Sequence, residues 1–409
     1  MKIRGVMIMK MKRFAALALL LCFAFALPAC GAKEPLPVSS SSSASSAEPS
    51  APKPDSVVRL MAVGDNLIHN VIYNQAKARG TAELEYDFSY VYERVKPIIQ
   101  KADVAFINQE TVLAGKYFEP SNYPRFCTPT EMGDCLLEVG FNVFNHANNH
   151  MLDKGRKGIA ATLEYWDTQS DKDFCVCGMY KDEADLYSCH YIEKNGVKIG
   201  FFGFTEHTNG LVAPDAMTER IVYAEQEEVI KRAIEVMKAE CDAVVVSAHW
   251  GDENYSERTK TALTSLEKTL SQKLADWGVD LIIGTHPHVI QPMKWLDRAD
   301  GGKTFCVYSL GNFVSAMNGP CNMLGGLVDL DIRKNNNTGE ISIENICYVP
   351  LVTHYNRGMK NVRIYPLSEY TEELASAHGC KAKTYSGFSL KYLNKVVTDN
   401  IEEEYLFEK

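Results

Sequence analysis

Short apolar runs alternating with amphipathic stretches predict an α/β protein built on mixed β-sheets. Two observations carry that expectation. The runs at 57–63, 104–107, 143–144, 197–204, 243–248, 281–283, 305–310 and 327–332 are rich in Val, Ile and Phe and bounded by Gly, Asn or Asp, as buried strands are. Between the later runs lie stretches of helical periodicity, and strands alternating with helices pack as an α/β sheet protein.

In chain order, the strand at 57–63 runs into Gly64-Asp65-Asn66, and 104–107 into Asn108-Gln109-Glu110-Thr111. The run at 143–144 leads into Asn145-His146-Ala147-Asn148-Asn149-His150. A helix is predicted over 225–238, where Val229, Ile230, Ala233, Ile234 and Met237 share a face. The strand at 243–248 ends in His249-Trp250-Gly251. Leu263, Leu266, Leu270, Leu274 and Trp277 mark a second helix over 261–277. The run at 281–283 opens onto Gly284-Thr285-His286-Pro287-His288, and 305–310 onto Gly311-Asn312-Phe313. From 305 to 349 the runs follow one another without helices, which predicts antiparallel strands. Leu390, Leu393 and Val397 predict a last helix within 388–403.

The chain has 409 residues, 46% hydrophobic and 23% charged, enough for a sizeable core. Its start reads as a targeting signal: Lys2, Arg4, Lys10, Lys12 and Arg13 precede an apolar run at 14–27, which is short for a membrane span. Leu27-Pro28-Ala29-Cys30-Gly31 resembles a bacterial lipobox, with Cys30 the lipidated first mature residue. A plain secretory signal cut near Ala29 is the alternative. The Ser-, Pro- and Ala-rich stretch that follows reads as a flexible tether. The expected organisation is a signal peptide at 1–29, a tether at 30–56, a main domain at 57–370 and a partly helical extension at 371–409. Removing the signal leaves 38 basic against 52 acidic groups, near −14. Such a surface disfavours nucleic acid. Export permits disulfides among the later cysteines. Cys241 and Cys306 sit in or beside apolar runs and read as buried free thiols, and no Cys has the spacing of a metal or redox motif.

The unusual polar groups follow the apolar runs, and in α/β sheets sites form at the carboxyl ends of strands. Each group has a plainer reading. Asp65 could cap a helix, Glu110 could lie on the surface, Asn148 and Asn149 could form turns, and His249 could be a satisfied core histidine. His286 and His288 are harder to set aside. In an extended segment residues i and i+2 share a side, so both imidazoles are expected to point the same way. Carboxylates, neutral imidazoles and an Asn carbonyl suit one or two divalent ions, Mn²⁺, Fe or Zn²⁺ rather than Ca²⁺. A bridging carboxylate holds two such ions ~3.5–4 Å apart. There is no Gly-rich P-loop and no G-x-S-x-G elbow, and Ser247 near His249 lacks an oxyanion context.

Five motifs, in order, resemble the poly-γ-glutamate capsule biosynthesis (CapA-type) family, within the wider calcineurin-like metallophosphoesterase group. They are Asn108-Gln109-Glu110-Thr111; Ala147-Asn148-Asn149-His150 with Asp153 and Gly155; His249-Trp250-Gly251 with Glu253; Gly284-Thr285-His286-Pro287-His288-Val289-Ile290-Gln291; and Tyr308-Ser309-Leu310-Gly311-Asn312-Phe313. The resemblance implies a four-layer α/β/β/α sandwich of two mixed sheets with a dinuclear site at the strand ends. It implies Asp65 and His288 as ligands of a first metal, Glu110 as the bridge, and Asn149, His249 and His286 as ligands of a second. His150, with Asn149, would act on the scissile group. Three departures stand out. Leu67 replaces the His expected two residues after Asp65, with His69 two residues further on; Asn254 separates Glu253 from Tyr255; and His146 stands where an apolar residue is usual. Arg125, Glu206, Glu253 and Asn312 are further candidates for substrate contact: Arg125 for a carboxylate or phosphate, Glu206 also as a hydrogen-bond partner of a ligating His.

The expected function is a metal-dependent hydrolase of the cell envelope, in which a metal-activated water attacks an amide or phosphoester. The substrate would be an anionic surface polymer or a small molecule. The protein would sit on the outer face of the bacterial cytoplasmic membrane by its lipid anchor, near membrane subunits of a capsule synthase. The alternative is a non-catalytic, metal-containing subunit that grips the polymer, which the missing His at position 67 favours. A periplasmic-type binding protein would need two similar lobes, and no repeat is present.

Overall fold

Two sheets lie face to face in the computed structural model, which describes residues 52–214, 217–253, 263–382 and 387–406. The signal peptide, Cys30, most of the tether and the Asn254-Tyr255 departure lie outside the described residues. The first sheet contains β1 (Ser56–Asn66), β2 (Val104–Gln109), β3 (Val143–Asn145), β4 (Cys175–Cys177), β11 (Asn312–Val314), β12 (Leu324–Lys334), β13 (Ile341–Asn356) and β14 (Lys360–Pro366). Their order is β14-β13-β12-β1-β2-β3-β4, with β11 paired to β1. The second contains β5 (Tyr191–Lys194), β6 (Val197–Thr205), β7 (Ala243–His249), β8 (Leu281–Thr285), β9 (Met293–Asp297) and β10 (Lys303–Val307), in the order β5-β6-β7-β8-β10-β9. Both sheets are mixed: β1 to β4 run parallel and β12 to β14 antiparallel, while antiparallel β5 and β9 edge a parallel centre.

The helices are α1 (Asn70–Arg79), the single turns α2 (Ser89–Tyr92) and α3 (Lys96–Ile99), α4 (Glu131–Val139), α5 (Gly155–Asp167), the short α6 (Glu183–Leu186), α7 (Glu227–Glu240), α8 (Ser265–Asp276), α9 (Glu372–Ala377) and α10 (Leu390–Asn400). Side chains on a strand alternate between faces, and the second sheet separates them accordingly. Ile199, Phe201, Val245, Leu281, Ile283 and Phe305 meet the first sheet in the central core. Phe202, Phe204, Val244, Val246 and Ile282 turn to the other side and join Ile230, Ile234 and Met237 of α7 and Leu270 and Leu274 of α8. Helices α1, α4 and α5 add Ile72, Met132, Leu136 and Trp166 to the core on the first sheet's side. The result is the expected pair of mixed sheets flanked by helices.

The predicted helices are found at α7, α8 and α10. α8 starts at a capping box between Thr264 and Glu267; the first two residues of its predicted span, 261 and 262, lie outside the described residues. The segment expected as an extension from 371 places Phe388, Leu393, Val396, Val397 and Ile401 in the central core. The expectation of antiparallel strands after 305 holds only in part. β10 pairs in parallel with β8 and antiparallel with β9, and β11 pairs in parallel with β1. The run at 305–310 also stops being a strand after Val307, because the chain there leaves the second sheet for the first.

Candidate metal centre

That crossing builds the site. On one side, Leu310 N–H donates to Gly284 O at 3.1 Å; on the other, Asp65 N–H donates to Gly311 O at 2.9 Å. The crossing chain therefore ties the end of β8 to the end of β1. It passes so close that a Cβ on Gly284 would sit 1.8 Å from Tyr308 O, and one on Gly64 1.9 Å from Gly311 O. Only glycine fits at either place. The carboxyl ends of β1, β2, β3, β7 and β8 thus bring Asp65, Glu110, Asn149, His249, His286 and His288 together, all almost fully buried.

Two sets of donor atoms result, each within 4.8 Å: Glu110 with His249 and His286, and Glu110 with Asp65 and His288. Glu110 belongs to both. It is fully buried, and among the described residues neither carboxylate oxygen has a hydrogen-bond partner. Its Oε1 lies 3.6 Å from His288 Nε2 and 3.8 Å from His249 Nε2. A buried carboxylate without a hydrogen bond is costly, and a donor set of this chemistry fits divalent cations on either side of it. Leu67 is in neither set, and the Asp65 set reaches three donors without it.

The surrounding bonds orient these groups. Asp65 Oδ1 accepts from Asn108 Nδ2 at 2.8 Å, and Oδ2 lies 3.0 Å from His288 Nδ1. His249 Nδ1 stands 2.9 Å from Thr285 Oγ1, a hydroxyl that accepts the Nδ1 proton when Nε2 serves as ligand. His249 Nε2 lies 3.0 Å from Asn149 Oδ1 and 3.2 Å from His286 Nδ1. His150 stands outside both donor sets. Its Nδ1 lies 2.8 Å from Asp153 Oδ2, which also accepts from Phe126 N–H at 2.6 Å, and the Phe126 ring packs edge-on against the imidazole at 4.7 Å.

Charge balance divides the histidines. Burial, reinforced by the neighbouring imidazoles, holds His249 and His286 well below the usual histidine pKa, in the neutral form that ligates metals. Burial would lower His288 too, but Glu110 and the bond to Asp65 outweigh it and raise it to about 9. Burial and the Asp65 charge push Glu110 well above the carboxylate range, against the pull of His288. These groups, held around a cation, would keep Glu110 ionised and the imidazoles neutral.

Other candidates take different places. His286 and His288 do not form an extended pair; both have positive φ, 101° and 57°, so the chain turns between them. Glu206 meets His249 through its backbone, whose N–H donates to His249 O at 2.8 Å, while its side-chain Oε2 accepts from Gly251 N–H at 2.9 Å and holds the turn after His249. Asn312 donates to Asn322 O at 3.1 Å and to His288 O at 3.4 Å, so it steadies the His288 turn from behind. Arg125 is exposed beside Phe126, and Glu253 is exposed near the centre, where its charge acts on Glu110 and His288. His69 stays out of both donor sets, with Nδ1 3.1 Å from Ala316 N. His146 is a core histidine that accepts from Trp166 Nε1 at 2.8 Å. Sequence reasoning missed Asn108 and Thr285 as orienting groups, although both lie in the last two residues of their strands, β2 and β8. It also missed His207, whose ring lies 5.0 Å from that of His286.

Residues 59–317 match a family model described as bacterial capsule synthesis protein PGA_cap. The chain is 28% identical over 291 residues to the PGA biosynthesis protein CapA of Bacillus subtilis (strain 168), covering 71% of each. It is 30% identical over 266 residues to the capsule biosynthesis protein CapA of Bacillus anthracis, covering 61% of this chain and 59% of that one. Similar solved structures include a phosphatase from Mycoplasma pneumoniae, with a TM-score of 0.43, 15% identity and coverage of 73% of this chain and 94% of that one. A putative 5'-nucleotidase from Staphylococcus aureus has a TM-score of 0.43, 14% identity and coverage of 84% and 58%.

Proposed function

The chain belongs to the bacterial capsule synthesis protein PGA_cap family, and from that membership we propose that it is a metal-dependent hydrolase of the cell envelope. The observation that carries the reading is Glu110, buried, without a hydrogen-bond partner among the described residues and shared by two sets of potential metal-ligand atoms. Asp65 and His288 would hold one ion with it, His249 and His286 a second, with Asn149 Oδ1 beside the latter. Divalent ions in such a cradle polarise an amide or phosphoryl oxygen and lower the pKa of water.

The remaining work falls to the protein. Asp153 locks the His150 ring through Nδ1, which leaves Nε2 to give a proton to the departing group. The Phe126 ring shields one side of that imidazole from water. Neighbouring Arg125 would grip a substrate anion, which a protein with a mature charge near −14 needs if it is to attract one. The substrate class that fits is an anionic capsule polymer such as poly-γ-glutamate, or a small phosphoester or amide. The domain at 57–370, with 371–409 appended, would hang from Cys30 by the tether on the outer face of the membrane, beside membrane subunits of a capsule synthase.

A non-catalytic polymer-gripping subunit is the second reading, favoured by Leu67; against it, Asp65, Glu110 and His288 form a three-donor set without residue 67. The test is turnover of phosphodiester and γ-glutamyl substrates by the purified chain with and without Mn²⁺, beside His150→Ala. Metal-dependent turnover lost in the variant supports the hydrolase. Equal inertness of both proteins, with metal bound, sinks it.

A further inference from the structure

Two cysteines far from the metal centre meet across the second sheet. Cys189 Sγ lies 2.9 Å from Cys241 Sγ, although the residues are 52 apart in sequence. That spacing falls between the ~2.05 Å of a disulfide and ordinary non-bonded contact. The fold brings the two thiols together through a glycine. Cys189 leads into β5, Cys241 ends α7 and leads into β7, and β6 runs between β5 and β7. Gly200 of β6 stands opposite Tyr191 on one side and Val244 on the other. A Cβ on Gly200 would reach within 3.0 Å of Cys241 Sγ and 3.1 Å of Met237 Sδ. The missing side chain at Gly200 leaves room for Cys241 Sγ above the middle strand, where it meets Cys189 Sγ.

Both thiols are half-buried rather than sealed, unlike Cys175, Cys177 and Cys306. Cys241 also lines a cavity of about 620 Å³, together with Lys238 and Asp242, through which a small reagent can reach it.

We propose that Cys189 and Cys241 form a disulfide when the chain is exposed to an oxidising compartment. The oxidant is a disulfide compound, small or protein-borne. One cysteine, as its thiolate, attacks a sulfur of that compound; a mixed disulfide forms and one thiolate leaves. The second cysteine, as its thiolate, attacks the protein sulfur of the mixed disulfide and expels the other thiolate. Two protein thiols are oxidised, one external disulfide is reduced to two thiols, and the two cysteine protons pass to solvent or to the released thiolates. The closed loop holds β5, β6 and α7 and with them the Glu206-His207 turn beside the metal centre. Such a bond stabilises mainly by restricting the unfolded chain. The inference does not depend on hydrolysis, only on a compartment in which disulfides persist.

The test incubates the full chain with oxidised glutathione or with dithiothreitol and maps peptides without reduction. The expected result is one cross-linked pair, Cys189 with Cys241, lighter by two hydrogens than the separate peptides. The thermal midpoint should rise by several degrees on oxidation in the wild type and not in Cys189→Ser. Glutathione adducts alone, a bond from Cys175 to either residue, or no loss of thiols would each overturn the proposal. The wild-type peptide map decides the matter even if Cys189→Ser folds poorly.

Discussion

His286 and His288 stand two residues apart, with ring centroids 6.0 Å apart, yet they fall in different donor sets of the candidate metal centre. His286 joins His249, and His288 joins Asp65, with Glu110 common to both. The positive φ at each residue makes this possible, because an extended segment would send both rings to one side. Backbone of that kind costs of order 1–3 kcal/mol per residue and is held only where the surroundings impose it. Here Asn312 and Asn322 both donate to the His288 carbonyl.

The shared carboxylate sets the first prediction. Glu110→Ala should lose both ions by elemental analysis, whereas His288→Ala and His249→Ala should each lose chiefly one. Stripping metal with a chelator should lower the thermal midpoint, since ligand at 100 times its Kd stabilises by about 2.7 kcal/mol. Two ions retained by Glu110→Ala would falsify the bridge.

His150 lies outside both donor sets, so its proposed proton transfer can be tested apart from metal binding. His150→Ala should keep its metal and lose ~10²–10⁴-fold in kcat, the usual worth of general acid catalysis. Asp153→Asn should lose less, because the ring is misoriented rather than removed. Parallel measurement of kcat and metal content checks both; metal loss in His150→Ala would place that residue among the ligands instead.

Acid sensitivity should trace in part to buried neutral histidines outside the two donor sets. Burial lowers His146 to about 3 and His378 to about 4. Above pH 6.5 each is neutral both folded and unfolded. Below it the unfolded chain binds the proton first, so stability falls as pH drops from 6.5 towards the folded values. For His146 the loss between pH 7 and 5 should be about 2 kcal/mol. His146→Gln retains an acceptor for Trp166 without titrating. Urea unfolding at both pH values should show that variant losing about 2 kcal/mol less than the wild type; identical losses would refute the assignment.

Gly284→Ala tests the crossing chain. Its Cβ would meet Tyr308 O at 1.8 Å and Val307 O at 2.8 Å, both backbone atoms that cannot swing aside. The expected cost is ~1–3 kcal/mol or more by urea unfolding, with weakened metal binding because the ends of β1 and β8 are forced apart. Wild-type stability and metal affinity in this variant would show that the crossing is not needed to assemble the site.

Much of this was legible because strands and helices write their periods locally. The run at 243–248 and the residues that follow it announce a buried strand ending in His249, and that needs no knowledge of the partner strands. The corrections fall where an assignment depended on another part of the chain. Glu206 follows β6 and bonds His249 as expected, but through its backbone N–H; its carboxylate takes the Gly251 amide, which only the turn after β7 puts there. Asn312 belongs to a quoted motif, yet its partners are carbonyls at 288 and 322.

The sequence by itself determined that this is an α/β protein whose polar residues collect at strand ends, and the resemblance of five motifs indicated which residues to watch. Only the tertiary structure decided that Glu110 is shared by two donor sets, that His286 and His288 part company, and that Cys189 and Cys241 meet. The reason is physical. A side chain's period along its own strand is a local property of the backbone. Contact between Asp65 and residue 286, 221 positions later, exists only because the chain at 308–312 crosses between two sheets through gaps that Gly64 and Gly284 leave open.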